Sequence, residues 1–559
     1  MLTIILDWFY ILFTTFCMGF AFSCFAEKVL HYRLRRMESV IVAGLVAAGV
    51  YAQVFSLFYR VGLEANILLV LACLAACIVL GRRMRDFLGE VSGNRSLMYG
   101  IGVLLLFLAW SYFTSRGYLV PDMDIYHGQS IRWIEEYGAV KGLGLLHNRF
   151  GYNSSIFAVS ALYGMRFLGG PSLHGVNGLI AFVLSVMALD LGKCFSRKKM
   201  LLPDYARVAA VYYLTTIWDE VIAPSSDYAV MCIIFFIVIR WLEQLEEDKG
   251  QGGSIAPYGL LCVAGVYALT LKLTAGLILL LVIKPAYRLL KEKRWKEIGI
   301  YLALGLAVAV PWMARTVIIT GWLFYPFTAL DLFDVDWKMT DLSVIESDAY
   351  LIKMWAKGAN QLADGNRLGV WFPHWFRNVL SPMEKLLVAA DGVSCVITLG
   401  MAVTVFVKRQ WKRLDMLLVL GTVLCCYLFW LFSAPMMRYG YAHVLLLAAL
   451  AGGCLLERFR IGAKVFYGMI AVYGAYKLCV GLVYIESYSW GPYYIWQRTY
   501  EKYEVESYEV DGVTLYYSPY MGPTGYDAFP SAPTRAEGIE LRGEGLRDGF
   551  RLKQDGNTD

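Results

Sequence analysis

From Leu2 to Tyr484 the chain returns repeatedly to apolar runs of about twenty residues, the length that crosses a hydrocarbon core of ~30 Å. Such runs stand near residues 2–25, 39–59, 66–81, 97–113, 175–192, 207–222, 227–243, 258–271, 273–290, 297–318, 384–407, 412–433, 438–456 and 463–484. They predict an all-α polytopic membrane protein with roughly fourteen transmembrane helices. A soluble core has no use for this much apolar sequence. Hydrophobic residues make up 58% of the chain and charged ones 17%, with a mean hydropathy of +0.52.

Lys and Arg resist translocation, so basic loops orient the helices. HYRLRR (31–36), RRMR (82–85), KCFSRKK (193–199), KEKRWK (291–296), KRQWKR (408–413) and ERFR (457–460) all fall on one side of these spans. That side is expected to be cytoplasmic. The long loops 114–174 and 319–383 and the segment 485–559 are then extracytoplasmic. The net charge of +6 expresses this sorting and implies no nucleic-acid partner. MLTIILDW carries no basic flank, which favours a retained first helix with its N-terminus outside over a cleaved signal peptide. All twelve cysteines lie in or beside apolar runs without CxxC or Cys/His spacing, so neither zinc nor a disulfide framework is indicated. No fixed-period repeat is present, and EEDKGQGGS (246–254) is the one low-complexity tract.

Charge concentrates in VPDMDIYHGQSIRWIEEYGAVKGLGLLHNRFGYNSS, Val120–Ser155. Pro121 ends the preceding element, and Asp122 or Asp124 can cap a new helix reaching about Tyr137. With Tyr126, Ser130, Trp133 and Tyr137 on one face, that helix suits the membrane interface. Charge parity leaves one crossing before KCFSRKK, so 156–169 is expected as a second interfacial helix and 175–192 as the span. Two carboxylates separated by one residue, beside His127, suit a general base for an acceptor hydroxyl. They also suit ligands that hold a divalent cation, Mg or Mn, against a phosphate. The plainer alternative is a helix-capping acidic pair.

Other groups recur on the same expected side. YALTLKLTAGLILLL places Lys272 at an outer turn, VPWMARTVIITGWLFYPFTALDLF (310–333) carries Arg315, FSAPMMRYGYAH (432–443) carries Arg438, and IAPSSDYAV (222–230) carries Asp227. Each alone could be an interfacial anchor or a snorkelling side chain. His127, His147 and Arg149 stand close enough in sequence to join the acidic pair. Trp371 and Trp375, in VWFPHWF (370–376), could stack on sugar rings or sit among headgroups.

The order of these signals resembles the GT-C superfamily of integral-membrane glycosyltransferases, which includes the protein O-mannosyltransferases and the aminoarabinose transferase of lipid A. The matching pattern is an acidic first external loop with interfacial helices, a Lys at an outer turn, a PW-x-x-R…TG…YP segment and a late AP-x-x-R-Y-G. The chain looks similar to large bacterial membrane proteins of that superfamily in YHGQSIRWIEEYG…GLGLLHNRFGYNSS, in FYPFTALDLFDVDWK, and in GYDAFPSAPT…IELRG…LRDGFR. The likeness runs from about residue 97 onward. It implies three units: an N-terminal addition of three helices over 1–96, a GT-C-like core over 97–484, and an extracytoplasmic segment over 485–559.

That resemblance implies a multi-pass protein of the bacterial cytoplasmic membrane. It would pass a sugar from a polyprenyl-phosphate donor to a glycan, lipid or protein acceptor on the outer face. Asp124, ahead of Asp122, matches the family's acid, while Lys272, Arg315 and Arg438 match its phosphate-binding cations. The pattern departs at Met436 and Met437, where an acid is expected. Two alternatives remain: a transporter or flippase for lipid-linked glycans, and a noncatalytic partner in their assembly.

Overall fold

A backbone in hydrocarbon must satisfy its own hydrogen bonds, so the apolar runs fold as helices. The computed structural model describes residues 1–93, 95–248, 253–359, 362, 364–459, 468, 471–477, 479–480, 483 and 492–553. The chain opens with α1 (Leu2–Leu30), α2 (Met37–Phe58), α3 (Leu63–Gly93) and α4 (Leu97–Arg116). The first long loop holds α5 (Gly128–Glu136) and α6 (Ser155–Tyr163). Next come α7 (Val176–Ala188), α8 (Lys193–Arg197), α9 (Leu202–Ile217), α10 (Ser226–Glu247), α11 (Ala256–Leu271), α12 (Ile283–Lys291) and α13 (Trp295–Thr320). The second long loop carries α14 (Leu342–Ala356) and α15 (Leu368–His374), before α16 (Pro382–Val407), α17 (Leu414–Ser433) and α18 (Tyr441–Phe459).

Among the described residues, nine helical segments are long and apolar enough to cross a membrane. The central post is α10, whose apolar window is 83% buried, against 17% for α4 and 22% for α3 and α16 at the periphery. A Cβ at Gly19 would fall on the Val40 carbonyl oxygen, and one at Gly44 on the Thr15 carbonyl, so glycine lets α1 and α2 touch backbone to backbone. Both helices contribute buried residues to the main hydrophobic core. Trp8 Nε1 donates to Gly175 O at 2.9 Å, and the Thr14 and Tyr163 hydroxyls are 3.0 Å apart.

Three segments expected as full spans have fewer than eighteen residues: Val176–Gly192, Ala256–Leu271 and α9, with 16 residues. Sixteen residues rise about 24 Å, less than a ~30 Å hydrocarbon core. The span expected over 463–484 lies mostly outside the described residues. The helix expected on the membrane surface over 156–169 is instead a plug: all 9 residues of α6 are buried, and it packs on α2 and α5. A helix that is apolar on every side belongs inside.

Beyond α18 the architecture changes. β1 (Glu506–Val510) and β2 (Val513–Tyr517) form an antiparallel hairpin. Its two-residue turn is Asp511–Gly512, with φ of 48° and 81°, the positive values that twist such a turn to match its strands. β3 (Ser531–Ala532) runs parallel to β2, and β4 (Ile539–Leu541) pairs antiparallel with β5 (Phe550–Leu552). Tyr508, Val510, Leu515, Ile539, Leu541 and Phe550 close over Trp133, Val140, Leu143, Leu146 and Phe150 of the first long loop. The aromatic face of α5, expected to meet lipid headgroups, is therefore roofed by protein. Arg542 also pairs with Asp336 of the second long loop at 2.8 Å, so both loops and the β module share one end of the bundle.

The other end is basic and ion-paired. Asp190 takes Arg36 at 2.6 Å, Lys193 at 2.8 Å and Arg95 at 2.9 Å, while Glu243 takes Arg207 and Arg240. α2 spans the distance between the two ends: Arg36 precedes it, and Ser56 O near its far end accepts Ala139 N at 2.7 Å.

Trp133, fully buried with its ring 5.1 Å from Phe529 and 6.1 Å from Phe550, is the centre of the module's seat. Trp133→Ala should weaken docking by about 3–5 kcal/mol. Limited proteolysis in detergent should then cut within 498–553 while the helical bundle stays intact.

Candidate functional site

The helix before the acidic pair ends at Arg116, residues 117–120 are not helical, and Pro121 opens the new helix expected there, which passes through a π turn at Met123–His127 into α5. Neither Asp122 nor Asp124 makes the cap expected of it. Residues two apart on a helix do not share a face, so the carboxylates diverge. Asp122 enters a cavity of about 290 Å³ at the module-bearing end of the bundle. Asp124 turns to the β module, where Tyr503 OH donates to its carboxylate at 3.0 Å. The Asp124 carbonyl also accepts Thr524 N at 3.1 Å and Gly525 N at 3.0 Å.

Distant segments deliver the cavity's other charges. Ser225 caps α10 by accepting Asp227 N at 3.3 Å, which sets Asp227 in the first turn. Lys272 occupies the extended break after α11, with φ −155°. Arg438 follows the Pro435 break between α17 and α18, a loop pinned by Trp375 Nε1 donating to Pro435 O at 3.0 Å and Trp430 Nε1 donating to Met436 O at 2.8 Å. The outcome is a chain of alternating charge. Arg438 Nη2 donates to Asp122 at 2.7 Å, and its Nε lies 3.1 Å from Asp227. Asp227 also takes Lys272, whose ammonium stands 3.8 Å over the Tyr439 ring. On the other side Arg149 is 3.8 Å from both Asp122 and Asp348, and Asp348 accepts the Tyr152 hydroxyl at 2.8 Å.

Burial alone would raise the Asp122 carboxyl, but His127 when protonated, Arg438 and Arg149 outweigh it and hold the group below its ordinary range. Burial opposes the Arg438 charge, yet Asp227 and Asp122 push its pKa upward. His127 lines the cavity between the Tyr126 ring at 4.3 Å and the Phe157 ring at 5.2 Å. Burial brings it down to about 4, leaving a neutral imidazole at pH 7. Asp124 is the opposite of Asp122: burial raises it to about 6 against the Tyr503 hydrogen bond.

Other sequence-expected residues stand behind the cavity wall. Arg315, 2% exposed, donates to Asn153 Oδ1 at 3.1 Å and to the Ser56 hydroxyl, and Asn153 in turn lines the cavity. His147 accepts Arg149 N at 3.2 Å and so orients that segment. Trp371 and Trp375 are buried rather than offered for stacking; Lys357 stands 4.6 Å over Trp371. Asn153, Tyr439 and His443 also line or face the cavity, and their signal lay in the quoted GYNSS and RYGYAH strings. Asp348 gave no signal, because VIESDAY reads as an ordinary solvated helix.

Among the described residues, no three His, Cys, Asp or Glu side chains gather as a metal-binding group. Asp122 and Asp124 face apart, and Asp122 and Asp227 are already shared among cations. This donor set does not fit a divalent ion.

Compared with known proteins, residues 1–445 match the family model described as "Domain of unknown function (DUF8201)", and the chain belongs to that family. No curated protein and no solved structure matches the chain.

Two protonatable carboxyls sit where the β module docks. Glu135 accepts Ser172 Oγ at 2.6 Å and the Tyr526 hydroxyl, and burial raises it to about 7 against those hydrogen bonds. Undocked, Asp124 and Glu135 return toward their ordinary 3.8 and 4.5. The docked form thus binds more protons in between. Docking should weaken as pH rises from about 4 to about 7, by about 1.4 kcal/mol per pH unit for each carboxyl within its own window, and then level off. Hydrogen-exchange protection over 500–530, corrected for intrinsic rates, should show this slope, and Asp124→Asn with Glu135→Gln should flatten it.

Proposed function

We propose that this member of the DUF8201 family is a membrane glycosyltransferase of GT-C type. It moves a sugar from a polyprenyl-phosphate donor to a glycan, lipid or protein acceptor at the outer face of the bacterial cytoplasmic membrane. The observation that carries this reading is the convergence of Asp122, Asp227, Lys272 and Arg438 on one cavity at the base of the long loops, with Arg149 paired to Asp122 from behind. Counting the three shorter helices, α18 and 463–484 as crossings gives fourteen spans. The ion-paired basic end then faces the cytoplasm, where Lys and Arg belong.

In this mechanism an acceptor hydroxyl oxygen attacks the anomeric carbon of the donor, and Asp122 takes its proton. The bond from that carbon to the phosphate oxygen breaks, and its electron pair leaves with the polyprenyl phosphate. Positive charge grows on the sugar and negative charge on the phosphate. Lys272 and Arg438 meet the latter by exchanging a carboxylate partner for a phosphate oxygen. The depressed Asp122 carboxyl is ionised at neutral pH, so it relies on position more than on basicity. Arg315 acts indirectly, by positioning Asn153. Asp124 holds the β module in place.

One observation favours the transport alternative. A larger cavity of about 840 Å³ opens at the basic end, walled by Val50 of α2, Ala264 of α11 and Val308 of α13. On α11 and α13 its walls end about one helical turn from Leu269 and Trp312 of the first cavity. Between these positions on α11, the Tyr267 ring packs against α2, 3.0 Å from where a Cβ at Gly49 would be. Lipid-linked glycan that crosses the bilayer unchanged would support this alternative.

Asp122→Asn should lower transfer by about 10²-fold or more with normal insertion and yield, whereas Asp124→Asn should retain it. Mass spectrometry of envelope glycans from a deletion strain should reveal a missing sugar that Asp124→Asn restores and Asp122→Asn does not. Full restoration by Asp122→Asn overturns the assignment.

A further inference from the structure

Arg438 has a second face. The cavity with Asp122 lies on one side of it, and on the other is a separate cavity of about 300 Å³ that Arg438 also lines. Its walls come from the ends of α9 and α10, the 435–441 loop and the start of α16. Tyr213, Tyr228, Tyr441 and Trp355 supply rings, and Glu220 and Glu384 supply carboxylates. Glu220 accepts the Tyr228 hydroxyl at 2.5 Å, and Glu384 accepts the Tyr441 hydroxyl at 3.4 Å. The Tyr213 hydroxyl is buried in a residue only 1% exposed, and it has no hydrogen-bond partner among the described residues.

We infer that this second cavity seats a neutral or amino sugar of the acceptor, a proposal that rests on the transferase reading and adds the acceptor's chemical class. Three features of the cavity argue for it. Rings take the C–H faces of a pyranose, while carboxylates take its hydroxyl protons, the combination of apolar wall and few convergent polar groups expected of a small-ligand site. A hydroxyl-rich guest also supplies the partner that the Tyr213 hydroxyl lacks, and a buried polar group left unpaired is costly. Finally, among the described lining residues Arg438 is the one cation, and Asp122 and Asp227 already engage it. A phosphorylated or uronic sugar would meet two carboxylates and no free positive charge, so the site discriminates against acidic acceptors.

Met436 and Met437 line this same cavity. The acid that the late motif was expected to carry at those positions is absent. Glu220 and Glu384, from other segments, stand in the same wall. Arg438 separates the two cavities, so a sugar seated here lies one side chain away from Asp122.

The test reads binding without turnover. Full-length protein in phosphatidylglycerol nanodiscs is titrated by saturation-transfer-difference NMR with glucose, galactose, mannose, glucosamine and N-acetylglucosamine, and with glucose 6-phosphate and glucuronate. At least one neutral or amino sugar should bind and the two acidic sugars should bind at least tenfold more weakly. Tyr213→Phe and Glu220→Gln should each weaken binding about fivefold, the worth of one hydrogen bond. Trp355→Ala, at the exposed rim, should do likewise with an unchanged thermal melting curve. The proposal is overturned if no sugar of the panel binds, if the acidic sugars bind as well as the neutral ones, or if all three variants bind like the parent. Loss of transfer in Asp122→Asn bears only on the transferase reading. A chain that binds sugar through Tyr213 and Glu220 yet transfers nothing defeats that reading and leaves the cavity assignment standing.

Discussion

The ion-pair chain from Asp348 through Arg149, Asp122, Arg438 and Asp227 to Lys272 is the constraint on which the loop-bearing end of the molecule depends. Apolar helices slide against one another at little cost, because lipid is as good a neighbour as leucine. Half-buried charges tolerate sliding poorly, because a member stripped of its partners keeps its desolvation cost without the attraction that offsets it. The chain joins the first long loop, the second long loop, the start of α10, the end of α11 and the α17–α18 connection. Five segments far apart in sequence are thereby held in one register, and the cavity is the space between them.

Neutral packing supports that register from behind. Arg315 reaches across from α13 to Asn153 and to Ser56 near the end of α2. Its Nη1 bond to Ser56 makes the second helix a structural component of the cavity wall, and α1 is locked to α2 through the Gly19 and Gly44 contacts. The helices before residue 97 are thus continuous with the site mechanically, although none of their charges enters it.

Much of this was legible in the chain itself. Apolar run length located the helices, and two of the basic loops grouped by charge alternation do meet, Arg36 and Lys193 both pairing with Asp190. Hydropathy set one span at 207–222 where α9 runs Leu202–Ile217, because it does not register that Pro203 and Asp204 start the helix earlier. It also misjudged α6, since lipid and protein interior look alike to an all-apolar segment. The acidic pair was visible, but the choice between Asp122 and Asp124 turned on helical phase. A helix running through both positions sends them to opposite sides, whereas a cap at Asp124 would not. Arg315 was visible in its motif, but its bonds to Asn153 and Ser56 were not. Asp348 and Glu220 were unreadable, because a carboxylate's worth here depends on the cation or ring that folding brings to it.

The Asp124–Tyr503 bond bridges 379 positions of sequence. During synthesis the first long loop emerges early and must wait, with its aromatic face uncovered, until the β module has been made. The roof over Trp133 is one of the last parts of this architecture to close, and any product that stops after α18 has the nine long apolar helices but no lid for that face. A closed roof over Trp133 therefore reports that translation has run through the module.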